Sequence, residues 1–243
     1  MIKLSVNLNK IATLRNARGG DRPNVVQAAR TCIAAGCHGI TVHPRPDGRH
    51  IRTQDVLDLA AMLAVEFNIE GYPSQEFLDL VCRVRPAQCT LVPDPPEVLT
   101  SNAGWNLKGE VRWLSEVLKR LHEHSIRTSL FLEPDPEQAR RAKDIGTDRI
   151  ELYTERYAKM FATPEQAQVF TMFHQAALVA QEVGLGLNAG HDLNLDNLPF
   201  FAQNIPGLLE VSIGHALICD ALDMGLREAV KAYLRALGST DEI

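Results

Sequence analysis

Four side chains suited to proton transfer stand in or just after short apolar runs. His43 closes the run 39–43, Glu70 closes 67–70, Glu151 sits inside 149–153, and His191 follows 186–189. A histidine with a pKa near 6.5 can accept and donate at neutral pH, and a glutamate at an apolar strand end can be tuned upward to act as a base. Asn7 and Asn9 end the first run, Arg45 ends the second with His43, Asn188 ends the seventh with His191, and Gly214 with His215 ends the eighth. One such group is usually a hydrogen-bonded structural residue. A whole set exceeds what stability requires, because burying polar groups costs free energy unless they pair, so the set points to an acid/base active site.

Phosphate recognition is the second chemistry on offer. Arg15 and Arg18 lie in the first loop, Arg45 and His50 in the second, and Gly190 and Gly214 could present backbone N–H groups to an anion. Two basic clusters suggest two phosphorylated substrates. Covalent lysine chemistry has little support: Lys10 lies past the end of the first run, and a solvated or phosphate-pairing role suits it better. No bound metal is expected. The first run ends in Asn7-Leu8-Asn9, not His-x-His, and His122-Glu123-His124 falls on a predicted helix, where i and i+2 do not share a face.

These residues must be positioned by the elements between them. A short apolar, β-branched run is followed eight times by a longer segment with helical spacing, the pattern of parallel βα units. The predicted strands are 4–8, 39–43, 67–70, 88–93, 127–132, 149–153, 186–189 and 210–213, each mostly apolar, as strands buried on both faces should be. Thr53 and Ser74 serve as N-caps, Pro136 and Pro164 as first-turn prolines, and Gly36, Gly146 and Gly184 follow helix ends. In 111–121, Leu114, Val117, Leu118 and Leu121 mark one helix face, and 25–35 is a second covering helix.

With 243 residues, eight repeats and no break in composition, the expectation is an α/β chain forming a single (β/α)8 TIM barrel over 1–243, with extra short helices. No GxGxxG follows the first strand and no GxxxxGK[ST] occurs. A net charge of −5 excludes a basic field for nucleic acid, and no apolar stretch approaches the roughly 20 residues that span a bilayer. Residues 1–10 read as a strand, not a signal peptide, so a cytoplasmic location is expected. The five cysteines are scattered, form no CxxC, and read as reduced and mostly buried.

Seven ordered blocks carry a resemblance: VNLNKIATLRNARGG, GITVHPRPDGRHI, FNIEGYPS, LVPDPPEVLTS, RIELYTERYA, LNAGHDLN and VSIGHALICDA. Over nearly the whole chain they resemble the pyridoxine 5'-phosphate synthase family of the vitamin B6 pathway. The resemblance implies a barrel that condenses 1-deoxy-D-xylulose 5-phosphate with 3-amino-2-oxopropyl phosphate, giving pyridoxine 5'-phosphate, inorganic phosphate and water. It implies no cofactor and a homo-octamer.

By the same resemblance, His43 and Glu70 match general bases, His191 a proton donor and Glu151 a transition-state stabiliser. Asn7, Arg18, Gly214 and His215 match groups around the aminoketone phosphate. Arg45, His50 and Thr100 match those around the deoxyxylulose phosphate, with Thr100 in a long segment, 93–106, suited to a lid. The best-known members have Asp-His where this chain has Asn9-Lys10, His where it has Tyr153, and Gly where it has Asp192. Asn9, Lys10 and Asp192 therefore count as substrate-site residues with altered contacts. The competing readings are a non-catalytic binder of phosphorylated metabolites and another phosphate-handling barrel, such as an aldolase or isomerase, which would need a catalytic lysine or a different acid/base pair.

Overall fold

The computed structural model describes residues 1–94, 103–109 and 111–239. Eight parallel strands close into a barrel in chain order: β1 (Lys3–Asn7), β2 (Gly39–Val42), β3 (Glu66–Gly71), β4 (Gln88–Leu91), β5 (Arg127–Leu132), β6 (Arg149–Tyr153), β7 (Gly186–His191) and β8 (Leu208–Ile213). The helices are α1 (Asn9–Asn16), α2 (Val25–Ala34), α3 (Thr53–Met62), α4 (Gln75–Val84), α5 (Arg112–Glu123), α6 (Pro136–Ile145), α7 (Glu155–Met160), α8 (Gln166–Glu182), α9 (Leu198–Asn204), α10 (His215–Met224) and α11 (Leu226–Ala236). The expected TIM barrel is therefore observed. Its extra short helices are α1, α7 and α10, each placed between a strand and the longer helix that follows it. Among the described residues, no helix is long and apolar enough to cross a membrane.

Local signals explain most boundaries. Ser74 caps α4 by accepting the Phe77 N–H at 3.3 Å, and Pro136 opens α6 where a missing N–H costs nothing. Two expectations fail. Thr53 is the first residue inside α3, whose start is tied by the Arg52 N–H to Asp55 Oδ2 at 2.8 Å, and Pro164 precedes α8 by two residues. On α2 the buried face is Val25, Ala28, Ala29 and Cys32, while Val26 and Ile33 flank it half-buried.

The core lies between sheet and helices. Outward strand residues such as Leu4, Val6, Ile40, Ile69, Leu130, Ile150 and Val211 are fully buried there against helix residues that include Cys32, Leu59, Val81 and Phe173. The inside of the barrel is different. The strands are expected to be apolar on both faces, yet most inward positions are polar and many of these side chains hydrogen-bond one another across the barrel.

At the N-terminal end Lys3 and Arg127 both pair with Glu66, Arg127 Nε donates to Gln88 Oε1 at 2.9 Å, and Arg149 Nη1 donates to Asn188 Oδ1 at 3.2 Å. Burial pushes the Glu66 carboxyl up, but Lys3 and Arg127 outweigh it and hold it down at about 2. Above this floor, Ser5 and Thr41 hydroxyls lie 2.7 Å apart, and the Thr90 hydroxyl donates to Asn68 Oδ1 at 3.1 Å. Buried polar groups are tolerable when so paired, and these bonded layers underlie the polar groups at the opposite mouth; the Ser129 hydroxyl is the exception, buried without a partner among the described residues.

Candidate active site

A cavity of about 360 Å³ opens at the C-terminal end of the strands, the end at which barrel enzymes place their chemistry. Twelve of the fourteen site residues expected from sequence line it: Asn7, Asn9, Lys10, His43, Arg45, His50, Glu70, Glu151, His191, Asp192, Gly214 and His215. Thr100 lies outside the described residues. Arg18 does not line the cavity; it is exposed, two residues beyond the end of α1.

Three other sequence expectations need correction. Arg15 is on α1, buried, and committed to a two-pronged ion pair with Asp55; its Nη2 is 2.9 Å from Asp55 Oδ2 and also donates to the His50 carbonyl at 3.1 Å. It therefore ties α1 to α3 and cannot serve as a phosphate ligand. Asn188 faces the N-terminal floor, bonded to Arg149, because it is only the third residue of β7. Asn9 opens α1 instead of ending β1.

Asn7 and Asn9 organise one side of the cavity. Asn7 Oδ1 accepts the Asn9 N–H at 3.0 Å, Asn9 Oδ1 accepts the His43 N–H at 2.9 Å, and Asn7 Nδ2 donates to Glu70 Oε2 at 3.3 Å. His43 Nδ1 lies 4.0 Å from the same Glu70 oxygen. Burial, aided by the nearby charges of Arg45, His50 and Arg49, lowers the His43 pKa well below 6.5. A neutral imidazole with an available lone pair results.

Glu70 is raised from 4.5 to about 7: burial and the charge of Glu210 push it up, while His191, Arg45 and the Asn7 hydrogen bond pull it back. Such a carboxyl can take or give a proton at neutral pH. Glu151, in the middle of β6, is pushed well above 4.5 by burial and by the Glu70 and Glu210 charges. That shift favours the protonated form, which can donate a hydrogen bond. A Cβ at position 190 would sit 2.3 Å from Glu151 Oε1, so this glycine is what lets the carboxyl lie against β7.

The second histidine stands opposite, at the end of β7. His191 has φ of 101°, a conformation that a non-glycine residue seldom adopts, and its Nδ1 lies 2.6 Å from Asp192 Oδ2. The Tyr153 ring meets its imidazole edge-on, with centroids 4.9 Å apart and an interplanar angle of 89°.

Two features suit anions. Lys10, Arg45, Arg49 and His50 crowd one side, and burial together with the charges of the other three lowers His50 to about 4. At the other side Gly214 precedes α10, which has no side-chain cap and no acidic residue in its first turn. Ser212, Gly214 and His215, at this helix start, line the cavity, and the first-turn N–H groups of a helix have no partner within it. Val92, Phe131 and Ser212 also line the cavity but were not expected from sequence. Phe131 packs on Tyr153 at 5.1 Å, and only the period-two alternation of β5 could have marked it as inward-facing.

His122 and His124 lie far from this chemistry: His122 Nε2 is 2.8 Å from Asp148 Oδ2, and His124 Nδ1 is 2.9 Å from the Arg120 carbonyl. Cys32, Cys37, Cys82 and Cys89 are buried free thiols and Cys219 is exposed.

A family model described as pyridoxal phosphate biosynthesis protein PdxJ matches residues 4–239. The pyridoxine 5'-phosphate synthase of Bacteroides thetaiotaomicron is 57% identical over 237 residues, covering 98% of this chain and 100% of that protein. That of Flavobacterium johnsoniae is 53% identical over 237 residues, with the same coverage of both. Among solved structures, phosphoribosylanthranilate isomerase from Thermotoga maritima matches with a TM-score of 0.62 at 12% identity, covering 98% of this chain and 99% of that one. Tryptophan synthase from M. tuberculosis matches with a TM-score of 0.65 at 14% identity, covering 97% and 92%. These two share the barrel fold with it. The match along the length of the family model, with relatives more than half identical, leaves one assignment: the chain belongs to the pyridoxal phosphate biosynthesis protein PdxJ family.

Proposed function

We propose that the chain is a pyridoxine 5'-phosphate synthase, joining 1-deoxy-D-xylulose 5-phosphate to 3-amino-2-oxopropyl phosphate and releasing inorganic phosphate and water. The observation that carries this reading is one cavity in which His43, Glu70, Glu151 and His191 lie between a cationic wall and an open helix N-terminus. Two phosphorylated substrates fit two anion-attracting sides. Imine formation, phosphate elimination, hydration, ring closure and dehydration all reduce to proton transfers between well-placed partners.

His43 and Glu70 take protons, one because burial keeps it neutral and the other because its raised pKa leaves it poised near 7. His191 returns protons to leaving oxygens. Glu151, whose burial favours the protonated form, donates a hydrogen bond to oxygens that gain negative charge. Lys10, Arg45 and His50 orient the deoxyxylulose phosphate, with Thr100 from the segment beyond β4. Asn7, Gly214 and His215 orient the aminoketone phosphate; Arg18, exposed and outside the cavity lining, would reach it only after a movement of the first loop.

We also take 1–243 as one domain working in the cytoplasm, without nucleic acid or metal, as a homo-octamer. Exposed Leu14 on α1 and Leu222 and Met224 on α10 support self-association. Sedimentation of the purified protein checks that. The functional reading is tested by supplying both substrates and following phosphate release and the absorbance of pyridoxine 5'-phosphate. Product from the pair, and from neither substrate alone, supports it; no product from the pair refutes it.

A further inference from the structure

The immediate surroundings of His191 are more elaborate than a cavity wall requires. β7 ends on this residue with φ of 101°, so the backbone is held in a conformation that costs free energy for a side chain with a Cβ. The next residue, Asp192, lies half-buried with Oδ2 at 2.6 Å from His191 Nδ1.

The loop that presents this carboxylate is pinned from within the protein. Asn197, buried, donates from Nδ2 to the Asp192 carbonyl at 3.3 Å and accepts the Asn194 N–H on Oδ1 at 2.9 Å. The Asn197 carbonyl in turn accepts the hydroxyl of fully buried Tyr157 at 2.8 Å. On the other side the imidazole meets the edge-on ring of Tyr153 at 4.9 Å and lies 6.4 Å from Phe131.

We infer that Asp192 is a positioning residue: by accepting the His191 Nδ1–H it fixes the tautomer and orientation that leave Nε2 facing the substrate. This deepens the proposed function and rests on its reading of His191 as a proton-transfer group. A carboxylate accepts only, so a bond this short requires the proton on Nδ1. Burial pulls the Asp192 carboxyl up, but the His191 hydrogen bond and the charges of His191, Lys159 and His215 outweigh it and hold it below the usual carboxylate range. Nε2 then carries the lone pair that takes a proton in one step. In the reverse sense Nε2–H gives that proton to a leaving oxygen, and its bonding electrons remain on the ring. The same use of a carboxylate behind a histidine recurs wherever one ring nitrogen must be presented in a defined state. Direct binding of substrate by Asp192 fits less well, because Oδ2 is already committed to His191.

The test combines spectroscopy with kinetics on the full chain. ¹⁵N-imidazole NMR of the wild-type protein, at a pH where His191 is neutral, is expected to place its proton on Nδ1; a proton on Nε2 overturns the inference. Asp192→Asn can donate to Nδ1 and hold the wrong tautomer, so kcat is expected to fall roughly 10- to 100-fold with KM within about twofold. Asp192→Ala, which only frees the ring, is expected to lose less kcat than Asp192→Asn. A rise in KM at unchanged kcat would make Asp192 a substrate contact and overturn the proposal, as would unchanged kinetics in both variants. His191→Gln separates the underlying reading: if it keeps full turnover, the proton-transfer role of His191 fails first, whatever the tautomer.

Discussion

Replacing Glu70 by Gln keeps the size and the hydrogen bond from Asn7 Nδ2 but removes the ability to take a proton. In the folded chain Glu70 titrates at about 7 against an ordinary 4.5. The native state therefore binds this proton more tightly than the unfolded chain does. Stability linked to it is present below the unfolded pKa and is lost as pH rises through the folded one. A gap of about 2.5 pH units at about 1.4 kcal/mol each makes the ionised carboxylate cost about 3 kcal/mol.

Glu70→Gln escapes this cost. Urea unfolding at about pH 4 is expected to show little difference from wild type, and at about pH 9 the variant is expected to be more stable, by up to about 3 kcal/mol. Turnover falls in the opposite direction, by roughly 10²- to 10⁴-fold, the usual contribution of a general base. A structural carboxylate paired with a cation would behave oppositely: the variant would lose stability and its folded fraction would keep normal turnover. Either half of that result, stability lost at high pH or turnover retained, rules out Glu70 as a buried general base.

Other perturbations separate the remaining parts. Lys10→Ala is expected to raise KM for one phosphorylated substrate about tenfold or more and leave kcat within a few fold, since it removes charge from the cationic wall and not a proton carrier; steady-state kinetics with each substrate varied checks this. Arg15→Ala leaves Asp55 buried without its partner, and urea unfolding is expected to show a loss of about 3–5 kcal/mol. Gly190→Ala puts a methyl where Glu151 Oε1 lies; kcat is expected to drop at least about tenfold while the thermal midpoint moves by only a few degrees, as assay and melting curve on one preparation would show.

The barrel was legible because each βα unit announces itself locally: β5 and β6 start and stop at the expected residues, and Ser74 and Pro136 mark helix starts by their own chemistry. What the sequence reading missed was the sidedness of the strands. Segments such as Lys3–Asn7, Glu66–Gly71 and Arg149–Tyr153 alternate polar and apolar, but scanning for apolar runs averages that alternation away. The polar floor of Lys3, Glu66, Arg127 and Arg149 lies on the polar side of that alternation. Asn188 was misplaced for the same reason, two residues making the difference between mouth and floor.

At the site, His43, Glu70, Glu151 and His191 were recognisable by type and place. Arg15 was not separable from Arg18, because a buried ion pair with a residue 40 positions away leaves no local mark. Asp192 stood out only as a departure from better-known relatives, and its bond to His191 needed the turn at the end of β7 to become visible.

The rate of the chemical step, measured with enzyme in excess over both substrates, reports on the proton-transfer pair itself. His43 Nδ1 and Glu70 Oε2 stand 4.0 Å apart beside one cavity and are read as parts of one proton-transfer unit. His43→Asn and Glu70→Gln are each expected to slow release of phosphate and formation of pyridoxine 5'-phosphate by roughly 10²- to 10⁴-fold, and the double variant to lose little more than the worse single one. A folded double variant that forms both products near the wild-type rate would contradict the account.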